Sequence, residues 1–247
     1  MLRGNIKIDQ MISDVLSVFL STRIFIFLIG WISTFVIVKG IYFGDVSSVT
    51  GLFFRWDSGW FESIVNNGYF YNPGAESNVV FFPLYPLLIR LSASLFNYNI
   101  TVIKLSAYII SNIALLLGSL YLYRLLLLDY PKSITSKAVF YMLIFPTSFF
   151  LSIAYSEGLF FCLSVLSIYF SRRHRWFIAS MFGYLAALTR FSGVFLIIPL
   201  IIEYLDIGFG RWKIDFKKVR SDILNLLLIP SGLFSYMTFL YIKFGDL

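Results

Sequence analysis

The stretch "VVFFPLYPLLIRLSASLF", residues 79–96, decides how this chain folds. Its apolar length approaches the ~20 residues of a bilayer-crossing helix. Its start works against crossing. Pro83 and Pro86 each remove a backbone donor and push the preceding residue toward extended geometry, and Arg90 interrupts the remainder. The pattern predicts a re-entrant or interfacial segment that dips and returns on the same side. Irregular backbone at membrane depth persists only where protein surrounds it or a wet cavity adjoins it. If the segment crossed fully instead, every later loop would change sides.

Outward from this stretch the chain is 59% hydrophobic and 13% charged, against about 25% charged in soluble domains. The fold class expected is an all-α polytopic membrane protein. Residues 1–23 form an amphipathic cytoplasmic N-terminus, with Ile8, Met11, Ile12, Val15, Leu16 and Phe19 at helical spacing for a surface helix. A single membrane domain follows over 24–247. Its first span covers about 24–43, with an outer loop over 44–79. Further spans are expected at about 105–128, 138–154, 158–171 and 223–243. Residues 176–202 are apolar but split by "LTRFSG", 188–193, and read as two half-spans turning near Arg190.

Charge then assigns sides. With the N-terminus in the cytoplasm, 14 of the 20 Lys and Arg fall inside, among them Arg23, Lys132, Arg172, Arg173, Arg175 and the five between 211 and 220. Lys39, Arg55, Arg90, Lys104, Arg190 and Lys243 fall outside. Such a split follows the positive-inside rule. Cytoplasmic loops facing anionic lipid also account for the net charge of +7 better than nucleic acid does. The lone Cys162 and the lone His174, in "RRHR", leave no disulfide, multi-cysteine metal site or histidine triad to build.

The same topology gathers polar residues from three parts of the chain on the outer side. In "FRWDSGWFESIVNNGY", 54–69, Asp57 stands between Trp56 and Trp60. A helix starting here puts Asp57 on a face with Trp60, Phe61 and Ile64 and turns Glu62 away. Asp57 reads equally as a helix N-cap, although a cap does not explain the aromatics, which suit a sugar-stacking or an interfacial wall. Arg190 lies within apolar sequence, where an ionisable residue points to function. Its planar fork fits a phosphate; the alternative is a structural partner for Asp57 or Glu157. Glu157, at a helix start, also suits the helix dipole. Lys243 in "YIKFGDL" marks a span end.

"RWDSGWFESIVNNGY" at 55–69, "FFPLYPLLIRL" at 81–91, "AYSEGLFF" at 154–161 and "AALTRFSGVFLIIPL" at 186–200 together resemble the PIG-V family. These are the GPI mannosyltransferase 2 enzymes and their prokaryotic relatives. The resemblance covers roughly residues 50–247 and implies a GT-C glycosyltransferase: a helical bundle with its active site on the non-cytoplasmic face. It implies a polyprenyl- or dolichyl-phosphate mannose donor and a glycan or glycolipid acceptor. Asp57 matches the family's acidic residue of the first outer loop and would be the catalytic base. Arg190 and Arg55 would meet the donor phosphate, with Glu157, Trp56, Trp60 and Lys243 in support. No cofactor is implied, although a loosely held Mg²⁺ is compatible with the carboxylates. The membrane would be the plasma membrane in a prokaryote and the endoplasmic reticulum membrane in a eukaryote. Family members continue past the "KFGD" segment, so the membrane domain is expected to be incomplete at its C-terminal end. The competing readings are a non-catalytic truncated membrane protein and a polytopic transporter, although no internal repeat is seen.

The topology is open to direct measurement. In a Cys162→Ser background, single cysteines at positions 75 and 190 should react with an impermeant maleimide from outside, and cysteines at 134 and 215 should not. Outside labelling at 215 would overturn the half-span reading of 176–202.

Overall fold

A computed structural model describes residues 8–36, 53–206 and 220–245. The expectations for Lys39, for residues 44–52 and for the cations of 211–219 lie outside the described residues. Every regular element described is helical, in keeping with an all-α polytopic membrane protein.

The first helix, α1, runs unbroken over Ile8–Val36. The helix does not break at residue 23, where the surface helix was expected to give way to a span. Nothing in this run breaks a helix, and Ile8–Ser33 is long and apolar enough to cross a membrane. Two of its polar residues meet other parts of the bundle. Asp14 pairs with Lys132 at 2.7 Å, and Arg23 is buried.

Two short helices follow. α2 spans Ser58–Asn67 and α3 spans Leu84–Ser94. At 11 residues α3 is about 16 Å long, half of a bilayer core, and so cannot cross. Pro83 occupies its N-cap, the place where a missing N–H costs least. The centre of the bundle is α4, Ile100–Leu126, capped by the Asn99 side chain accepting from the Val102 amide at 3.0 Å. It packs against α6, Glu157–Arg172, and also meets α1 and α3. Between them α5, Lys132–Ile144, is shorter than the span expected over 138–154. Pro146 ends it: Phe145 is driven to ψ 137°, and a 3₁₀ turn, Pro146–Leu151, takes over.

The half-span reading of 176–202 matches the backbone. α7, Trp176–Ala187, stops at a turn, a 3₁₀ segment covers Phe191–Leu196, and α8 returns over Ile197–Tyr204. The turn closes because Gly193 packs directly on the preceding helix. A Cβ there would sit 2.4 Å from the Ala186 carbonyl carbon and the Ala187 nitrogen. A last 3₁₀ turn, Ser221–Leu227, leads into α9, Leu228–Phe244.

The charged residues gather at two ends of this bundle. At one, Arg172 holds Asp129 through two 2.8 Å bonds and Glu203 at 3.1 Å. At the other, Arg190 pairs with Glu157 at 2.6 Å, and Lys243 donates to the Tyr69 carbonyl at 2.7 Å. One expectation changes. Arg23, counted among the cytoplasmic cations, lies inside the bundle. It donates to the carbonyls of Leu143 and Ser148 and to the hydroxyls of Ser148 and Ser152. The Leu143 carbonyl loses its helical partner where Pro146 breaks α5, and the Arg23 guanidinium and the Ser148 hydroxyl, the latter at 2.7 Å, donate to it in place of the missing helical turn.

Two stability predictions follow from these contacts. Arg23→Leu removes the buried hydrogen bonds from the guanidinium to the 143–152 corner, each worth about 1–3 kcal/mol, and should lower the apparent melting temperature in detergent well below that of Arg23→Lys. Equal melting of parent and Arg23→Leu would refute the capping role. Gly193→Ala meets rigid backbone and should lose ~1–3 kcal/mol or more, read as reduced folded yield.

Candidate active site

The site is built around residues 152–156, a run without regular helix between the 3₁₀ turn after α5 and the start of α6. Its backbone groups need donors and acceptors from elsewhere. The Asn112 side chain donates to the Ser152 carbonyl at 2.7 Å. The Ala154 amide donates to the Phe53 carbonyl at 2.9 Å, and the Ser58 hydroxyl donates to the Ala154 carbonyl at 3.1 Å. The Ser111 hydroxyl donates to the Tyr155 carbonyl at 2.8 Å and is itself 2.8 Å from the hydroxyl of Tyr85, a fully buried residue of α3. The run is thus held by α4 on one side and by the start of α2 on the other.

Asp57 opens α2 and faces this run. Its amide donates to the Tyr155 hydroxyl oxygen at 3.2 Å. Asp57 occupies the N-cap position but has helical dihedrals, φ −62° and ψ −16°, and its side chain caps nothing. The capping reading therefore loses its support, and the carboxylate remains available to a cavity. Trp56, just before it, adopts φ +45°. A bulky residue in that left-handed region carries strain of about 1–3 kcal/mol, of the kind found beside functional groups. The bend turns the Trp56 ring outward, 62% exposed, toward Phe150 at 6.5 Å.

Two cavities meet here. The larger, about 970 Å³, is lined mostly by apolar side chains of α5 and the following turn, including Tyr141, Met142, Phe145, Phe150 and Leu151, together with Trp56. The smaller, about 320 Å³, is more polar and is lined by Ser156, Thr189, Arg190 and Ser192 together with Phe61 and the 80–82 stretch. Asp57, Tyr155 and Glu157 line both. Arg190 bonds Glu157 at 2.6 Å and the Ser156 hydroxyl at 3.3 Å, both through Nη1. Among the described residues its Nη2 and Nε make no hydrogen bond, so part of the guanidinium stays free to bind. The Leu188 carbonyl at the Arg190 turn accepts from the Leu84 amide at 3.0 Å, which joins the break after α7 to the start of α3.

Of the residues singled out in the sequence, Asp57, Glu157, Arg190 and Trp56 come together. Trp60, Arg55 and Lys243 line neither cavity. Trp60 stacks on Phe81 with ring centres 6.0 Å apart, behind the polar cavity. Lys243 fixes the loop after α2 through the Tyr69 carbonyl. Sequence reasoning passed over Tyr155, Ser111 and Asn112. The one signal for the last two is a polar pair amid the apolar run of α4. Burial pushes the Tyr155 phenol up to about 12, with the carboxylates of Asp57 and Glu157 adding to the shift. Among the described residues no cluster of three potential metal ligands occurs.

An all-helical membrane bundle, with a carboxylate and a guanidinium at one end of broken helices and no nucleotide-type strand among the described residues, fits a membrane glycosyltransferase. A family model for mannosyltransferase (PIG-V) matches residues 36–244. The chain belongs to that family: it is an integral membrane mannosyltransferase, taking a sugar donor and a glycan acceptor in a membrane. Neither the curated proteins nor the solved structures gave a match.

Proposed function

We propose that the chain moves mannose from a polyprenyl- or dolichyl-phosphate donor to a hydroxyl of a lipid-linked or surface glycan, on the non-cytoplasmic face. The observation that carries this reading is the junction of the two cavities at Asp57. A lipid-phosphate sugar is apolar at one end and polar at the other, and the adjoining volumes share that division. The polyprenyl chain would lie along Met142, Phe145 and Phe150, and the mannosyl phosphate would enter the space beside Arg190. Asp57 accepts the proton of the attacking hydroxyl as general base, an effect of ~10²–10⁴-fold. The free edge of the Arg190 guanidinium meets the phosphate, a preorganised charge that needs no rearrangement when the bond breaks. The cation asymmetry of the sequence supports the outer placement, since the Asp57 end of the bundle carries few Lys and Arg.

The test compares Asp57→Asn with Glu62→Gln in membranes of a host lacking its own copy, using radiolabelled polyprenyl-phosphate mannose and normalising to protein level. Asp57→Asn keeps the size of the side chain and should be as abundant as the parent, with turnover lower by ~10²-fold or more. Glu62, which lines neither cavity, should tolerate Gln. Equal turnover of Asp57→Asn and parent would remove Asp57 as the base.

A further inference from the structure

We infer that Tyr155 is a catalytic residue, donating its hydroxyl hydrogen bond to the phosphate oxygen that leaves the sugar. The inference rests on the lipid-phosphate reading above and assigns a role to a residue that reading does not use.

Three residues border both the apolar and the polar cavity: Asp57, Tyr155 and Glu157. In a lipid-phosphate sugar the phosphate is the group that joins the apolar chain to the polar ring, so it must sit at that border. Two of the three border residues are carboxylates, which repel a phosphate. Glu157 is offset by Arg190 at 2.6 Å. Tyr155 is the one neutral donor of the three. Its hydroxyl oxygen already accepts from the Asp57 amide at 3.2 Å. That bond occupies a lone pair and leaves the O–H proton to point elsewhere. Among the described residues no acceptor takes it.

The position is also rigid. The residue is 5% exposed, its ring stacks on Phe150 at 5.9 Å, and its carbonyl is held by Ser111 at 2.8 Å. A donor fixed in advance toward developing charge is the arrangement that stabilises a transition state most strongly. The same bond ties the donor to the base, since the amide that reaches Tyr155 belongs to Asp57.

The step balances without a further reactant. The acceptor hydroxyl oxygen forms the bond to the anomeric carbon of the sugar, and its proton passes to Asp57. The pair of the anomeric C–O bond departs with the lipid phosphate. Tyr155 keeps its proton throughout and strengthens its hydrogen bond as charge collects on that oxygen.

Two substitutions test this in the membrane assay with radiolabelled polyprenyl-phosphate mannose. Tyr155→Phe removes the hydroxyl alone. The expected result is normal abundance, nearly unchanged KM for the donor and kcat lower by ~10²-fold. Replacement of Tyr155 by a multiply fluorinated tyrosine keeps the hydroxyl but makes it far more acidic. The donor form is the protonated phenol, so activity should be lost as pH rises through the phenol's pKa, and that loss should move from beyond the assay range into neutral or mildly alkaline pH. A Tyr155→Phe variant with parental kcat overturns the inference and leaves the proposed function standing. So does a fluorinated variant with the parent's pH profile, which would mean that Tyr155 merely seats the Asp57 amide. Absence of transfer by the parent protein instead defeats the proposed function, and the inference with it.

Discussion

Backbone groups that leave a helix inside a membrane bundle have no water to turn to, and much of this structure depends on how they are answered. α5 stops at Ile144 because Pro146 cannot continue it, and the Leu143 carbonyl of the lost turn is met by Arg23 from α1 and by the Ser148 hydroxyl. A charge in mid-span is costly alone, but here both terminal nitrogens of the guanidinium donate to carbonyls and hydroxyls of the corner. The interaction is therefore a cap supplied from another helix. It fixes the corner 143–152, the wall of the apolar cavity and the approach to Tyr155.

The same problem recurs at each break, with small polar residues as the answer. Asn112, Ser58 and Ser111 donate to the carbonyls of Ser152, Ala154 and Tyr155, and the Leu84 amide donates to the carbonyl of Leu188. Helices packed side by side would offer no cavity at this depth. Interrupted helices offer one, provided that the interruptions are held. The segments that fail as clean spans are thus the ones that build the site. Tyr85 shows how close the coupling is: it is fully buried in α3, bonds Ser111 of α4, and through it reaches the backbone of Tyr155.

The class of fold and the main charged residues were legible in the sequence for a physical reason. Asp57, Glu157 and Arg190 stand out because ionised groups amid apolar sequence must have a purpose, and prolines 83 and 86 announce a broken segment. The 188–193 break was legible from Arg190 and the charge split. Pro146 carried the same signal and was read through, because the apolar run on both sides looked long enough to span. Arg23 was misplaced because a cation near the chain start resembles a cytoplasmic anchor, and its partners lie 120 or more residues away. Tyr155 stands in the quoted "AYSEGLFF" segment but was not singled out, since a tyrosine in apolar sequence is ordinary and its partner, the Asp57 amide, is 98 residues distant. Lys243 was placed by charge alone, whereas its amine serves a loop carbonyl.

The Arg190–Glu157 pair has a further consequence for the base. An arginine near two carboxylates could close on either one. A pair with Asp57 would fill the carboxylate that has to accept a proton and spend the guanidinium at the same time. Glu157 sits at the first residue of α6, where the helix dipole favours its charge, and it pairs with Arg190 through Nη1 at 2.6 Å. The remaining edge of the guanidinium is left for an anion, and among the described residues no donor occupies the Asp57 carboxylate. On the proposed reading Glu157 acts by occupying the arginine: it keeps positive charge beside the phosphate without letting that charge neutralise the base.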